Sequence, residues 1–183
     1  MTANSKDILT EIHNRQLTTF CRVEVFRDKQ HLEKLPTKHR GLYWIWSNHT
    51  LDDMQKIPTR PDTKEVPIAE LVRQQRGEAN ITKISHDGFT IVYNGIGGYD
   101  KIPAAFGLRE RINQELNCND PRTGTLNLLN REFSTIENWA VSYFDFDAPE
   151  NVDITKHLSY SDDAKVLEKD WRTEYGLPIL TRR

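Results

Sequence analysis

With 183 residues, 37 % of them hydrophobic and 28 % charged, the chain is long enough to bury one real core and too short for two, so a single domain over 1–183 is expected. Four Trp, six Tyr and seven Phe exclude a disordered composition. No stretch approaches the roughly 20 apolar residues of a membrane helix, and a net charge of −2 gives no overall attraction to a polyanion.

In chain order, the N-terminal MTANSKDILTEIH carries no apolar run suited to a signal peptide, which makes a cytoplasmic location and no membrane contact the expectation. Ile8, Leu9, Ile12 and Leu17 fall near a helical period, predicting a short accessory helix over Lys6 to Leu17. Val23 and Val25 alternate as in a short strand, and Lys29 to Leu35 suits a helical turn ended by Pro36. The run Gly41-Leu42-Tyr43-Trp44-Ile45-Trp46, aromatic and β-branched, reads as a well-buried strand. Everything before it, 1–40, is an N-terminal extension.

Residues 51–80 hold Pro58, Pro61 and Pro67 and a possible helix at Ile68 to Gln75, and read as an insert. Ile81 to Ile84 and Phe89 to Tyr93 flank Asp87-Gly88, a strong hairpin signal, and the second strand runs into a tight turn at Asn94-Gly95-Ile96-Gly97-Gly98. Those glycines lack both nucleotide-loop spacings, GxxxxGK[ST] and GxGxxG with a later acid. From Pro103 a helix is expected, with Leu108, Ile112 and Leu116 on one stripe and Arg109 and Arg111 off it. Asn117 to Thr125 has loop composition, and Trp139 to Phe144 reads as a third main strand. Ser161-Asp162-Asp163 opens a last helix with Leu167, Trp171 and Tyr175 inward, closed by Gly176 and Pro178. The sum is a small α+β domain: a central antiparallel or mixed three-stranded sheet flanked by helices.

Cys21 and Cys118 lack CxxC or CxxH partners, and the six histidines are scattered without HExxH spacing, so neither a zinc site nor a disulfide framework is indicated. No GxSxG elbow is present. What stands out is an ordered set: Gly-Leu-Tyr43 on one strand, Tyr93-Asn-Gly on the next, Leu108-Arg-Glu-Arg111-Ile112 on the following helix, and Glu168 on a later helix ahead of Trp171 and Pro178. Taken singly, each tyrosine is an ordinary core residue, and Arg111 and Glu168 are ordinary helix charges.

Together these motifs resemble the GIY-YIG nuclease family, over Gly41 to about Pro178. The resemblance implies a metal-dependent DNA endonuclease of restriction type, with Tyr43, Tyr93, Arg111 and Glu168 as its active site. It implies that Glu168 holds a divalent cation, Mg2+ through a carboxylate and several waters. Arg111 would grip the scissile phosphate. One tyrosine would orient or deprotonate the attacking water, its phenol lowered from a pKa near roughly 10 by Arg111, the metal or Lys101 on the loop after the second motif. Asn94 stands where the family has an aliphatic residue, and Glu115 where many members carry a histidine. The implied partner is double-stranded DNA, with a homodimer as the natural way to reach both strands. A catalytically inactive nucleic-acid or protein-binding module on the same scaffold remains the alternative.

Overall fold

The computed structural model describes residues 5–61, 63–98, 106–118, 120, 122–131, 135–156, 158 and 162–182. The helices are α1 (Ser5–Gln16), α2 (Lys29–Glu33), α3 (Leu51–Met54), α4 (Ile68–Gln75), α5 (Leu108–Leu116), α6 (Val152–Thr155) and α7 (Asp162–Tyr175). The strands are β1 (Cys21–Arg22), β2 (Gly41–Ser47), β3 (Ser85–His86), β4 (Phe89–Gly97) and β5 (Trp139–Asp145). Among the described residues no helix is long and apolar enough to cross a membrane.

Local chemistry accounts for several boundaries. The Asp28 side chain accepts from the Gln30 amide and caps α2, and Thr50 does the same for α3 through the Asp53 amide. Asp87 and Gly88 both take positive φ, 50° and 77°, which closes the β3–β4 hairpin as the Asp-Gly pair predicts. Gly176 ends α7 in the left-handed region at φ 92°.

The domain is α+β, but the sheet has five strands in the order β1-β5-β2-β4-β3, every pair antiparallel, where three were expected. The three long strands β5-β2-β4 are the expected ones, and each outer edge gains a two-residue strand too short to leave a period in the sequence. Val23 and Val25 do not form a strand: a 3-10 turn over Val23–Arg27 buries Val23 and Phe26 instead. Ile81 makes only an isolated parallel bridge to Leu177, so the first hairpin arm is shorter than Ile81 to Ile84 suggested.

The predicted tight turn at residues 94–98 is also corrected. β4 runs on as strand through Gly97, pairing Gly95 with Tyr43 and Gly97 with Gly41. Its glycines serve close packing: a Cβ on Gly97 would sit 2.7 Å from the backbone nitrogen of Leu108, where α5 begins.

β2 lies at the centre and is buried at all seven positions, because helices cover both faces. Leu42, Trp44 and Trp46 pack with Leu9 and Ile12 of α1 and Leu167 and Trp171 of α7. Tyr43 and Ile45 point the other way, into a cluster with Leu108, Ile112 and Leu116 of α5 and Ile68, Leu71 and Val72 of α4. The N-terminal helix and the 51–80 insert are thus core-building parts rather than appendages. Losing one of the fully buried Trp side chains would cost about 3–5 kcal/mol.

Candidate active site

Antiparallel pairing fixes the two tyrosines. Tyr43 lies opposite Gly95 and Tyr93 opposite Ile45, so both phenols project from one face of neighbouring strands, with ring centroids 6.4 Å apart at a 42° tilt. Gly95 makes this possible. A Cβ there would come within 2.4 Å of the Tyr43 hydroxyl, so any side chain would push the phenol out of its seat.

α5 delivers the next groups. Its first amides are satisfied by the segment before β2, Leu108 N–H donating to His39 O at 2.9 Å and Arg109 N–H to Pro36 O at 3.2 Å. Arg109 donates to the Leu35 carbonyl at 2.8 Å and also to that of Glu33, while Glu110 accepts from the Thr37 hydroxyl at 2.7 Å. Of the three charges in Arg109-Glu110-Arg111, two therefore fasten the helix to residues 33–38. Only Arg111 turns to the phenols.

One turn later Glu115 is completely buried. Its Oε1 accepts from the Tyr43 hydroxyl at 2.9 Å and its Oε2 from the Leu126 amide at 2.8 Å, while Arg111 Nη2 stands 4.0 Å from Oε1. Tyr93 also lies close enough to stabilise the carboxylate. Burial pushes the Glu115 pKa up, against the opposing pull of the Leu126 amide, Arg111 and the two phenols. Both tyrosines are pushed well above the ordinary phenol range, by burial first and by the Glu115 charge second.

Arg111 uses its donors sparingly. Nη1 donates to Gln114 Oε1 at 2.7 Å, and Nε is buried with no hydrogen-bond partner. A guanidinium offers five N–H groups, and a buried donor left idle costs roughly 1–3 kcal/mol, which an oxyanion would recover.

Glu168 sits in the second turn of α7, on the other side of β4. Its Oε1 accepts from Arg172 Nη2 at 2.9 Å, and Arg172 Nε is held by Asn94 Oδ1 at 3.0 Å. Burial raises the Glu168 pKa, countered by Arg172 and then Arg111, and Glu168 in turn acts on Tyr93. The charges of α5 and α7 therefore act on one another across β4. The structure brings together Tyr43, Tyr93 and Arg111 directly and Glu168 through the field; Lys101 lies outside the described residues.

For a divalent cation the donor set is sparse. No group of three His, Cys, Asp or Glu side chains among the described residues could hold a metal. Glu168 nevertheless fits single-carboxylate ligation, because Arg172 anchors one oxygen and the other takes no hydrogen bond among the described residues.

Glu115, Gly95, Asn94 and Arg172 complete the site and are not in the set read from sequence. Glu115 has a signal, four residues after Arg111 and so on the same helical face. Asn94 and Gly95 lie in the second motif, but their neighbourhood reads as a turn, which hides the packing of Tyr43 on Gly95. Compared with known protein families, with curated proteins and with solved structures, the chain matches none of them.

Proposed function

We propose that the chain is a metal-dependent DNA endonuclease of the GIY-YIG type, hydrolysing phosphodiester bonds. The observation that carries this is Arg111: a guanidinium with an unpartnered buried donor, set beside two phenols and within the field of a lone carboxylate. Phosphodiester hydrolysis asks for charge neutralisation at phosphorus, a handled proton and help for the departing oxygen. Arg111 supplies the first through planar N–H groups that match phosphate oxygens. Tyr93, less buried than Tyr43, would orient the attacking water. Glu168 would hold the cation, Mg2+ by ligand type, which when bound stabilises negative charge on the phosphate and leaving oxygens. Arg172 and Asn94 keep that carboxylate in one orientation.

Double-stranded DNA is the partner we assign, cut in a site-specific, restriction-type manner by a homodimer in the cytoplasm. The alternative, a catalytically inactive nucleic-acid or protein-binding module, draws support from the Glu168–Arg172 pair, which already occupies half of the metal-binding carboxylate. Plasmid DNA incubated with Mg2+ separates the two. The parent protein is expected to nick or linearise it and Glu168→Ala to lose that activity by 100-fold or more, on the order of what a metal-anchoring group supplies; plasmid left intact across divalent metals and sequences would leave the binding module.

A further inference from the structure

We propose that a second cavity on this sheet face takes a nucleobase, either one extruded from the DNA beside the scissile phosphate or that of a free nucleotide. This rests on the nuclease reading above. The cavity, of about 700 Å³, is lined by residues of the 51–80 insert and of the β3–β4 hairpin. Part of its wall is a row of hydroxyls: Thr90 of β4 pairs with Ser47 of β2 and with Ser85 of β3, and all three line the cavity. Side chains directly opposite across antiparallel strands share one face, so the three stand side by side. The Ser47 hydroxyl is spent on the Asn138 carbonyl at 3.1 Å and the His49 amide at 3.2 Å. Those of Thr90 and Ser85 make no hydrogen bond among the described residues.

A β-bulge sets this row on the same side of the sheet as the two phenols. Ile45 pairs with Tyr93 and Trp46 with Ile91, which leaves Val92 as the extra residue. Residues three apart on a regular strand face opposite ways; across the bulge Thr90 and Tyr93 face the same way, as their partners Ser47 and Ile45 do. The Leu180 amide, donating to the Val92 carbonyl at 2.8 Å, holds the bulge in place. Three residues of strand span about 10 Å, a gap that a nucleotide flanking the scissile phosphate can bridge.

Apolar side chains complete the lining: Met54, Val92 and Ile179 are 2 %, 3 % and 4 % exposed. A planar heterocycle offers the matching surfaces, apolar faces and an edge of donors and acceptors, and hydroxyls meet either kind of edge group. The charges at the rim are mixed, Arg76 and Lys83 with Glu78, and Arg76 is paired with Asp52, so the cavity selects a neutral base rather than a phosphate. Burial lowers the His49 pKa, which keeps that lining ring uncharged at neutral pH. Extruding a base costs its stacking, which enclosure against apolar side chains and free hydroxyls offsets.

The test follows 2-aminopurine, a base whose emission rises when it leaves the stack. Among the described residues no Trp, Tyr or Phe lines the cavity to quench it. In a duplex that the parent cuts, with metal withheld and the probe placed in turn at positions flanking the cut, emission at one position is expected to rise several-fold on adding protein. Thr90→Val combined with Ser85→Ala, at one partly exposed and one exposed position, should need roughly 10-fold more protein for the same rise. Titration with free 2-aminopurine deoxyriboside separates the sources: nucleoside binding weakened by the same substitutions, without a rise in the duplex, assigns the cavity to free nucleotides. No rise in the duplex and no nucleoside binding, or signals that the two substitutions leave unchanged, overturn the nucleobase cavity while leaving the nuclease intact. A parent that cuts no DNA overturns the nuclease reading, and the nucleoside titration then decides the cavity alone.

Discussion

Glu65 with Arg131 and Glu115 with Arg111 are both carboxylate–guanidinium pairs sunk beneath the α5 face of the sheet, and they are built to opposite plans. Arg131, 2 % exposed, donates to the Leu126 carbonyl at 2.6 Å, the Pro58 carbonyl at 3.0 Å and the Val66 carbonyl at 2.6 Å. Glu65 accepts from Arg60 Nε at 2.8 Å and Asn127 Nδ2 at 2.7 Å, with Arg131 at 3.8 Å. Burial would raise its pKa, but Arg60, Asn127 and Arg131 outweigh that and hold it below the ordinary value. Arg111 is 25 % exposed, keeps a donor idle and stands off its glutamate, whose pKa is raised. Each pair keeps one buried atom without a hydrogen bond, Glu65 Oε2 in the first and Arg111 Nε in the second, but the first is tied to the backbone at 58, 66 and 126 and so fastens the 51–80 insert to the body, while the second has few such ties. Leu126 joins them, its carbonyl taking Arg131 and its amide holding Glu115.

The sharpest break in this contrast is Glu65→Ala. It strips Arg60 and Asn127 of an acceptor and leaves Arg131 buried without its counter-charge, which costs about 3–5 kcal/mol. In a domain of this size the melting temperature should fall by on the order of 10 °C. A loss under about 1 kcal/mol in denaturant titration would show that this cluster is no staple.

Arg111→Ala should invert the pattern. It removes a guanidinium whose internal bonds are few, and Glu115, its pKa already raised by burial, can take up a proton once its counter-charge is gone, so folding stability should change by less than the Glu65→Ala loss, while cleavage should drop by roughly 100- to 1000-fold, the usual effect of losing one preorganised oxyanion donor. Equal stability losses in the two variants would erase the distinction between a structural and a functional arginine.

How much of this was legible beforehand follows the physics of each signal. Strands β2 and β5, helix α4 and helix α7 were readable because burial on one or both faces writes a period or an apolar run into the sequence, and α4 falls at the predicted Ile68–Gln75. The two-residue strands β1 and β3 are too short for any period, and the 3-10 turn at Val23–Arg27 mimics strand alternation because Val23 and Phe26 both turn inward. The stretch Asn94 to Gly97 misled for a different reason. Glycine suits both a tight turn and a strand that something else must touch, and only the packing of Tyr43 on Gly95 and of Leu108 on Gly97 shows which applies. Tyr43, Tyr93, Arg111 and Glu168 stand in the sequence as an ordered set, while Glu115 enters only as the residue standing where many members of the resembled family carry a histidine. That a carboxylate at this position is wholly buried depends on three separate elements closing over it, which no local pattern records.

The smallest effect is the most diagnostic, because the two glutamates should give it opposite signs. Glu65, lowered below its unfolded value of 4.5, contributes stability that is present above that value and lost as pH falls through the folded pKa. Glu115, raised above 4.5, contributes stability that is present below that value and lost as pH rises through the folded pKa. Relative to the parent, the melting temperature of Glu65→Gln should therefore become more unfavourable as pH rises from about 3 to 5. That of Glu115→Gln should become more favourable as pH rises above about 4. Each pKa unit of separation corresponds to about 1.4 kcal/mol, or roughly 4 °C in a chain of this length, so melting curves over that pH range resolve both trends. If the two variants drift in the same direction, Glu115 is held as a conventional ion pair with Arg111, and the two clusters are built alike.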